Sequence, residues 1–577
     1  MSDWVILPRE ITANIHISKI VNTNNYTFYS NIEKNDYLLM NNKGIFLFGY
    51  ILPVLSNPDN NTTPKNLLSK YKEFGDNFIN NYKGIFTIII IDNNKIKFFN
   101  DRFGLSKFFY IDKGKKFIGS NNLKLLSEFH SKKISKTNVF EYFILNYFTQ
   151  GNTIYEGIKY SRGGTNFHLN SDLEKKYYFD IRHFMQHRSK ELNIKKDIFH
   201  ISSEIWTNII NQYLNHFSNK KISLTLTAGL DSRMILAAMR KIKFIPLTFT
   251  FGHKDSMDVR GARRIAKKLD LKHYHFFPEE KVLQNFQQSA TDTVIKGDSL
   301  VTLFRAHRLD AYYKIKEYSD VIFFGFIGSE IIRGLYPDGL VINKLASSIW
   351  LNDKLNIKDF IINHFKKYFL SIPKNIIDEL TERLSNYTFL YKSDQYLFEM
   401  IIPLHFGQDI RLLEKIGIFS LCPFWDIDFL EFIKNTPFFI SNNRQKDFAK
   451  LGHFRRRKQP LFSSKLINIL DKDSSRIPLG KGYSPREFAF SQNYSALKFL
   501  IYKFVNKFKS HDTPNFSYGN WYLNFLGDSL KNCNWQFLNI NKQLIYKDIA
   551  KIIMPSDELN LLQFTQFINI DLIRRNL

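Results

Sequence analysis

The run with the most chemical content is Leu224-Thr225-Leu226-Thr227-Ala228-Gly229-Leu230-Asp231-Ser232-Arg233. An apolar β run feeds a turn of small residues, and a helix is predicted to open with Asp231 and Ser232. Small residues let a backbone approach a phosphate, and first-turn N–H groups plus the helix dipole favour the anion. Asp231 is suited to hold Mg2+, while Thr227 and Ser232 offer hydroxyls to phosphate oxygens. The run lacks the Gly-Lys-Ser/Thr of a Walker loop, which argues against kinase or GTPase chemistry. The plainer alternative is a strand-to-helix turn capped by Asp231.

Other stretches bear on the same chemistry. Thr248-Phe249-Thr250-Phe251-Gly252 reads as a buried strand followed by an amphipathic helix. His273 and His275 alternate with Tyr274 in a strand-like setting, which points to structural histidines rather than metal ligands. Gly325-Phe326-Ile327-Gly328-Ser329-Glu330 is a second glycine turn after an apolar strand. Departing phosphates need positive charge nearby. Lys481, in Leu479-Gly480-Lys481-Gly482, is the candidate, with Arg233 and Arg455-Arg456-Arg457-Lys458 as rivals. Pro423-Phe424-Trp425-Asp426 reads by itself as a helix start capped by Asp426.

These residues need two kinds of scaffold. Residues 1–185 read as β-rich: apolar stretches at 44–50, 85–91, 96–100 and 108–111 are separated by turns such as Asp92-Asn93-Asn94-Lys95. Strands this closely spaced imply antiparallel hairpins, with helical patterns at 67–80 and 138–147. Lys-Gly-Ile-Phe occurs twice, at 43–46 and 83–86, as two similar strand starts. A charge-rich stretch at 182–196 reads as a linker. From about 197 the rhythm becomes strand, glycine-bearing turn, amphipathic helix, with strands at 222–227, 246–251 and 321–324. That alternation predicts a parallel α/β sheet over 197–490. Beyond about 355 the pattern is mostly helical, and 491–577 is read as a helical extension of unassigned role.

Composition bounds the classes. At 577 residues the chain exceeds one hydrophobic core, and 44% hydrophobic with 23% charged residues is a globular balance. No apolar run approaches the roughly 18 residues that span a bilayer. The start, Met1-Ser2-Asp3-Trp4, has no secretory pattern, so a cytoplasmic location is expected. Two cysteines, Cys422 and Cys533, exclude a disulfide framework and a zinc ribbon. The net charge of +27 could favour an anionic partner, but basic residues are scattered and no nucleic-acid signature accompanies them. Nucleic acid is therefore disfavoured as a partner.

Residues 227–232 resemble the S-G-G-x-D-S pyrophosphate loop of N-type ATP pyrophosphatases, with Thr227 and Ala228 replacing the first Ser and Gly. The 248–252 strand with Ser256-Met257-Asp258, Ala262, Ala266, Leu269, His273 and His275 resembles the second βα unit of asparagine synthetases, where Thr250, Phe251 and Gly252 would lie against adenine. Residues 325–334 resemble G-x-G-S-D-E-[LIV]-F-x-G. Aligned on Gly334, Glu330 matches the family Glu, and Ser329 stands where a metal-holding Asp is expected. Residues 423–426 resemble R-x-P-F-L-D. Toward the amino terminus, Gly84-Ile85-Phe86-Thr87-Ile88, Asp92, Asp101-Arg102-Phe103-Gly104-Leu105 and Phe109-Tyr110 resemble the G-x-F-A-F…D…D-R-x-G-x-x-P-L-Y-Y run of class II glutamine amidotransferases. Thr153-Ile154-Tyr155-Glu156-Gly157-Ile158 and Gly164 resemble the stretch that leads onward.

The resemblance implies an N-terminal nucleophile hydrolase-like α+β sandwich, then an α/β ATP pyrophosphatase domain with a largely helical C-terminal part. It implies ATP and Mg2+, with Thr227, Ala228, Gly229, Leu230, Asp231, Ser232 and Arg233 at pyrophosphate, and Asp231, Glu330 and Ser329 around metal. Glu330 and Lys481 would be catalytic. Class II glutaminases use an N-terminal Cys whose amine is the base; here Ser2 follows Met1 and the first cysteine is Cys422, so glutamine hydrolysis is not expected. Loss of that Cys is also how β-lactam synthetases and lasso-peptide cyclases look. Neither Phe326 nor Ile327 supplies the Tyr that β-lactam closure needs. The expected function is an ATP-dependent amide ligase acting on a carboxylate and an amine, from a small molecule or a precursor peptide, with a partner protein possible. The alternatives are a macrolactam-forming peptide cyclase and an inactive ATP-binding scaffold.

Overall fold

In the computed structural model, residues 2–11, 16–40, 43–57, 59, 61–92, 95–114, 116–170, 172–186, 198–277, 286–333, 356–365, 371–390, 397–439 and 458–508 are described. Gly334, Arg455, Arg456, Arg457, Cys533 and most of the expected linker and C-terminal extension lie outside them.

The amino-terminal part is two six-stranded antiparallel sheets. One contains β1 (Trp4–Pro8), β2 (Lys19–Asn22), β3 (Tyr26–Ser30), β8 (Phe109–Lys113), β9 (Lys116–Ser120) and β10 (Ile158–Tyr160), in the order β10-β8-β9-β1-β3-β2. The other contains β4 (Tyr37–Met40), β5 (Lys43–Pro53), β6 (Tyr82–Asp92), β7 (Lys95–Asn100), β11 (Thr165–Leu169) and β12 (Leu173–Tyr177), in the order β12-β11-β7-β6-β5-β4. Trp4 and Phe28 of the first sheet meet Phe46, Phe48, Ile89 and Phe98 of the second, so the sheets pack face to face.

The continuous isoleucine run of β6 follows from its position, because successive side chains of a strand point to opposite faces. Ile89 and Ile91 enter the inter-sheet core, while Phe86, Ile88 and Ile90 pack beneath Leu67 and Leu68 of the helix Pro64–Phe74. Both faces are covered, so neither needs polar residues. The two Lys-Gly-Ile-Phe copies open β5 and β6, which pair antiparallel over their full length. A Cβ on Gly49 would meet Ile85 O at 2.1 Å, and one on Gly84 would meet Tyr50 O at 2.3 Å. The φ angles of +105° and +137° there require glycine.

The second part has a five-stranded sheet ordered β15-β14-β13-β16-β17, parallel throughout. Its strands are β13 (Ile222–Thr225), β14 (Leu247–Phe251), β15 (His273–Phe276), β16 (Val321–Phe323) and β17 (Phe419–Leu421). The helices Asp231–Lys241 and Met257–Lys268 follow β13 and β14 as the pattern predicts. Two elements were not anticipated. β17 is three residues long, too short to show a period inside a helical stretch. The helix Ile198–His216 buries Trp206 between Phe424 and Phe429, at ring distances of 4.8 and 4.9 Å. No helix among the described residues is long and apolar enough to cross a membrane.

From β13 the chain builds outward to β14 and β15, then crosses to β16 on the other side. In open α/β sheets, ligands bind beyond the carboxyl ends of strands at such a reversal. The strands flanking it, β13 and β16, end at the two glycine turns, 227–232 and 325–330.

Candidate functional site at the ends of the parallel strands

Tertiary contact brings these two turns together. Asp231 opens its helix, and one of its carboxylate oxygens accepts from Ser329 N at 3.0 Å and Ser329 Oγ at 2.9 Å. The approach depends on missing side chains. A Cβ on Gly325 would lie 2.7 Å from Ser232 N, and one on Gly328 would lie 2.8 Å from Asp231 Cγ and 2.7 Å from the Phe424 ring. Between them Ile327 is buried with φ of +54°, an unusual conformation for a β-branched residue, held where the chain turns into Gly328. Glu330 follows in the first turn of the helix Gly328–Arg333, half-buried, where the helix dipole favours a carboxylate.

Within the first turn, Ser232 Oγ accepts from Thr227 N at 3.2 Å and lies 3.3 Å from Thr227 Oγ1. Gly229 N donates to Thr227 Oγ1 at 3.2 Å. Ala228 N donates to Asp258 Oδ1 at 3.3 Å, and burial raises that carboxyl above its ordinary value. Gly261 packs on Ala228 so closely that a Cβ would meet the Ala228 methyl at 2.3 Å. Gly480 comes from the far end of the unit, where its own Cβ would lie 3.5 Å from that methyl. Exposed Lys481 is therefore carried on a loop packed against the 227–232 turn. Leu230 is buried at the start of the helix.

Other predicted residues have different settings. Arg233 is fully buried: its Nη1 donates to the carbonyls of Ser474 and Ile477, while Nε and Nη2 are buried without a hydrogen-bond partner. Burial pulls it down to about 9. Thr250 spends its hydroxyl on Leu226 O at 2.5 Å, and Phe251 joins an aromatic cluster with Phe249, Phe276 and Tyr312. Gly252 stands at the strand end with φ of +128°, its carbonyl bonded to His275 Nε2 at 2.6 Å. His273 lies between Thr248 Oγ1 at 3.0 Å and Thr250 Oγ1 at 3.4 Å, and burial pulls its imidazole down to about 4.

The donor set suits a magnesium–nucleotide complex better than a bare ion. Among the described residues no group of three or more His, Cys, Asp or Glu side chains converges. Mg2+ ordinarily takes one or two protein carboxylates and completes its shell with substrate phosphates and water. Asp231 and Glu330 are the carboxylates carried by the two turns.

Three charged residues escaped the sequence reading of chemistry. Lys83, in the second Lys-Gly-Ile-Phe copy, is 3% exposed, and its ammonium reaches Asp426 at 2.8 Å and Asp428 at 2.6 Å. Asp426 does cap its helix, accepting from Asp428 N at 2.9 Å, and it also accepts from Tyr213 OH at 2.9 Å. The sandwich is thus pinned to the parallel-sheet unit through buried charge. Asp101 accepts from the N–H groups of Phe103, Leu105 and Ser106 at 3.1, 3.0 and 2.8 Å, and burial nevertheless pushes it up to about 6. Lys107 is buried beneath it and donates to the carbonyls of Gly104 and Pro403. The repeated tetrapeptide was the only signal pointing at Lys83.

Residues 55–179 match the glutamine amidotransferase domain family. Over 227 residues the chain is 23% identical to the putative asparagine synthetase [glutamine-hydrolyzing] 2 of Methanocaldococcus jannaschii, covering 37% of this chain and 43% of that protein. The chain therefore spans less than half the length of that relative. Looser structural overlap exists with the allosteric regulatory enzyme of purine biosynthesis (8% identity, TM-score 0.20, 39% of this chain and 54% of that one). Another is with the glutamine phosphoribosylpyrophosphate amidotransferase of B. subtilis (7% identity, TM-score 0.19, 49% and 64%). The segment ahead of the parallel-sheet unit is thus similar to a glutamine amidotransferase domain over residues 55–179, and part of the chain is similar to an asparagine synthetase.

Proposed function

We propose that the protein is an ATP-dependent amide-bond-forming ligase of the asparagine synthetase type, acting without its own glutaminase. The carrying observation is the meeting of the 227–232 and 325–330 turns at the strand-order reversal, with the Asp231 carboxylate bonded to Ser329. A substrate carboxylate oxygen attacks the α-phosphorus of ATP, the bond to the bridging oxygen breaks, and pyrophosphate leaves. An amine then attacks the acyl carbon, forming the amide and releasing AMP.

This chain's residues divide the work. The N–H groups and hydroxyls of Thr227, Gly229 and Ser232 receive pyrophosphate, and Lys481 offers positive charge from its exposed loop. Asp231 and Glu330 would hold Mg2+, which when bound would offset charge on the phosphates. Glu330 would alternatively take the proton that the attacking amine loses. Gly252 closes the adenine side through its backbone.

One observation favours an amine from outside a glutaminase reaction: residues 1–421 contain no cysteine. An amine carried by the substrate itself, as in macrolactam closure, fits that observation equally. ATP–pyrophosphate exchange tests the reading, with glutamine incubated in parallel. Substrate-dependent exchange without ammonia release is expected. Absence of exchange with a broad panel of amino acids and peptides would favour the inactive scaffold, to which Ala228 and Ser329 point. Ammonia release from glutamine would overturn the glutaminase-free part.

A further inference from the structure

A cavity of about 240 Å³ lies where the sandwich meets the helical segment Leu397–Phe406, away from both glycine turns. Arg102, Lys107, Tyr160 and Arg162 line it from one side, Glu399 and Pro403 from the other. Its two ends differ. Arg162 and Glu399 face each other at 3.6 Å with side chains 43% and 18% exposed, which marks the outer end. Lys107 is 5% exposed and stands at the inner end.

Lys107 is in an uneasy position. Its ammonium donates to Gly104 O at 2.5 Å and Pro403 O at 2.9 Å, and it lies 5.9 Å from the centre of the Tyr160 ring. Among the described residues no carboxylate comes within ion-pair distance of it. The nearest acid, Asp101, has its oxygens engaged by three backbone N–H groups. An ammonium carries three N–H donors, and carbonyls occupy two. A buried charge without an ion-pair contact is costly, and a ligand anion in the adjoining space would offset that cost. Burial draws the Lys107 ammonium down to about 8, a fall that the fields of Asp101 and Glu414 oppose only in part.

We propose that this cavity is a binding site for a small organic carboxylate, held at its inner end by Lys107 and at its outer end by Arg162. The volume suits a molecule of amino-acid size, with Lys107 facing one carboxylate and the Arg162–Glu399 pair facing the polar group at its other end. The site is separate from the adenylation reading and does not depend on it.

The segment behind the cavity also touches the candidate site. Phe406, three residues after Pro403, stacks on Phe326 at 4.8 Å, and Phe326 lies within the 325–330 turn. Binding is nonetheless to be read at equilibrium, independent of turnover. Isothermal titration calorimetry of the full chain with succinate and with glutamate, against uncharged succinamide, is the test. Saturable heat is expected with at least one of the two carboxylates and none with succinamide. Affinity should fall about tenfold or more in Lys107→Met, the loss of a charge-assisted contact. If Lys107→Met does not fold by circular dichroism, Arg162→Gln at the outer end decides, with a several-fold weakening expected. No saturable heat from either carboxylate in the millimolar range overturns the proposal. So does undiminished affinity in a folded Lys107→Met or, failing that variant, in Arg162→Gln.

Discussion

Lys83 in the sandwich and Asp231 in the parallel-sheet unit are both charged side chains beside a glycine turn or strand start, yet their settings are opposite. Lys83 is sealed between two carboxylates from the other unit and touches almost no solvent. Asp231 is half-buried beyond the end of β13, at a point where two turns and a helix start converge. One charge is consumed in joining the units. The other sits at the end of a strand, bonded to Ser329 across the two turns. The difference teaches that a charged residue is a candidate for chemistry when the fold places it at a strand-end reversal, and an architectural element when the fold closes over it.

The largest effect should come from the open side of this comparison. Asp231→Ala is expected to lower ATP–pyrophosphate exchange by about 10²-fold or more, as loss of a group aimed at developing charge does, while circular dichroism stays unchanged. Ser232→Ala should follow in the same direction. Exchange at the original rate in a folded variant would place the chemistry elsewhere.

On the closed side, Lys83→Met leaves Asp426 and Asp428 without their shared cation. Breaking a buried pair in this way costs about 3–5 kcal/mol, so the urea midpoint should drop markedly. A midpoint equal to wild type would show that the pair does not hold the units together.

A smaller effect separates the two partners of the 325–330 turn. Ser329→Asp adds a carboxylate beside Asp231 and should lower the Mg2+ concentration needed for half-maximal exchange. Glu330→Gln should then hurt the original chain more than the Ser329→Asp variant. Equal losses in the two backgrounds, titrated with Mg2+, would remove Ser329 from the metal's surroundings.

The smallest expected effect concerns pH. His273 titrates near 4 in the fold, below its ordinary value, so the unfolded chain binds the extra proton first as pH falls. Its contribution to stability is present above the ordinary histidine range and is lost as pH drops toward about 4. His405, buried beside Arg305 and drawn well below the ordinary value, acts in the same sense. His273→Gln should flatten the fall of melting temperature between neutral pH and pH 4. An unaltered slope would mean that other groups carry the acid response.

Much of the molecule was legible in the sequence because it depends on neighbours along the chain. The short apolar runs set off by turn residues foretold β5, β6 and β7, and the strand–turn–helix rhythm foretold β13, β14 and their helices, since both patterns are set by neighbours along the chain. The small residues at 227–232 and the glycines at 325 and 328 were visible for the same local reason. β17, at three residues, escaped because its partner strand β16 comes 98 residues earlier in the chain, and the helix Ile198–His216 because Trp206 packs on the distant Phe424. Only the tertiary structure decided that Ser329 touches Asp231 across 98 residues, that Arg233 turns inward to Ser474 and Ile477, and that Lys83 meets Asp426 across 343 residues. The physical reason is that a side chain's type and local setting are written in its neighbours, whereas burial and charge pairing are fixed by whatever distant segment packs against it.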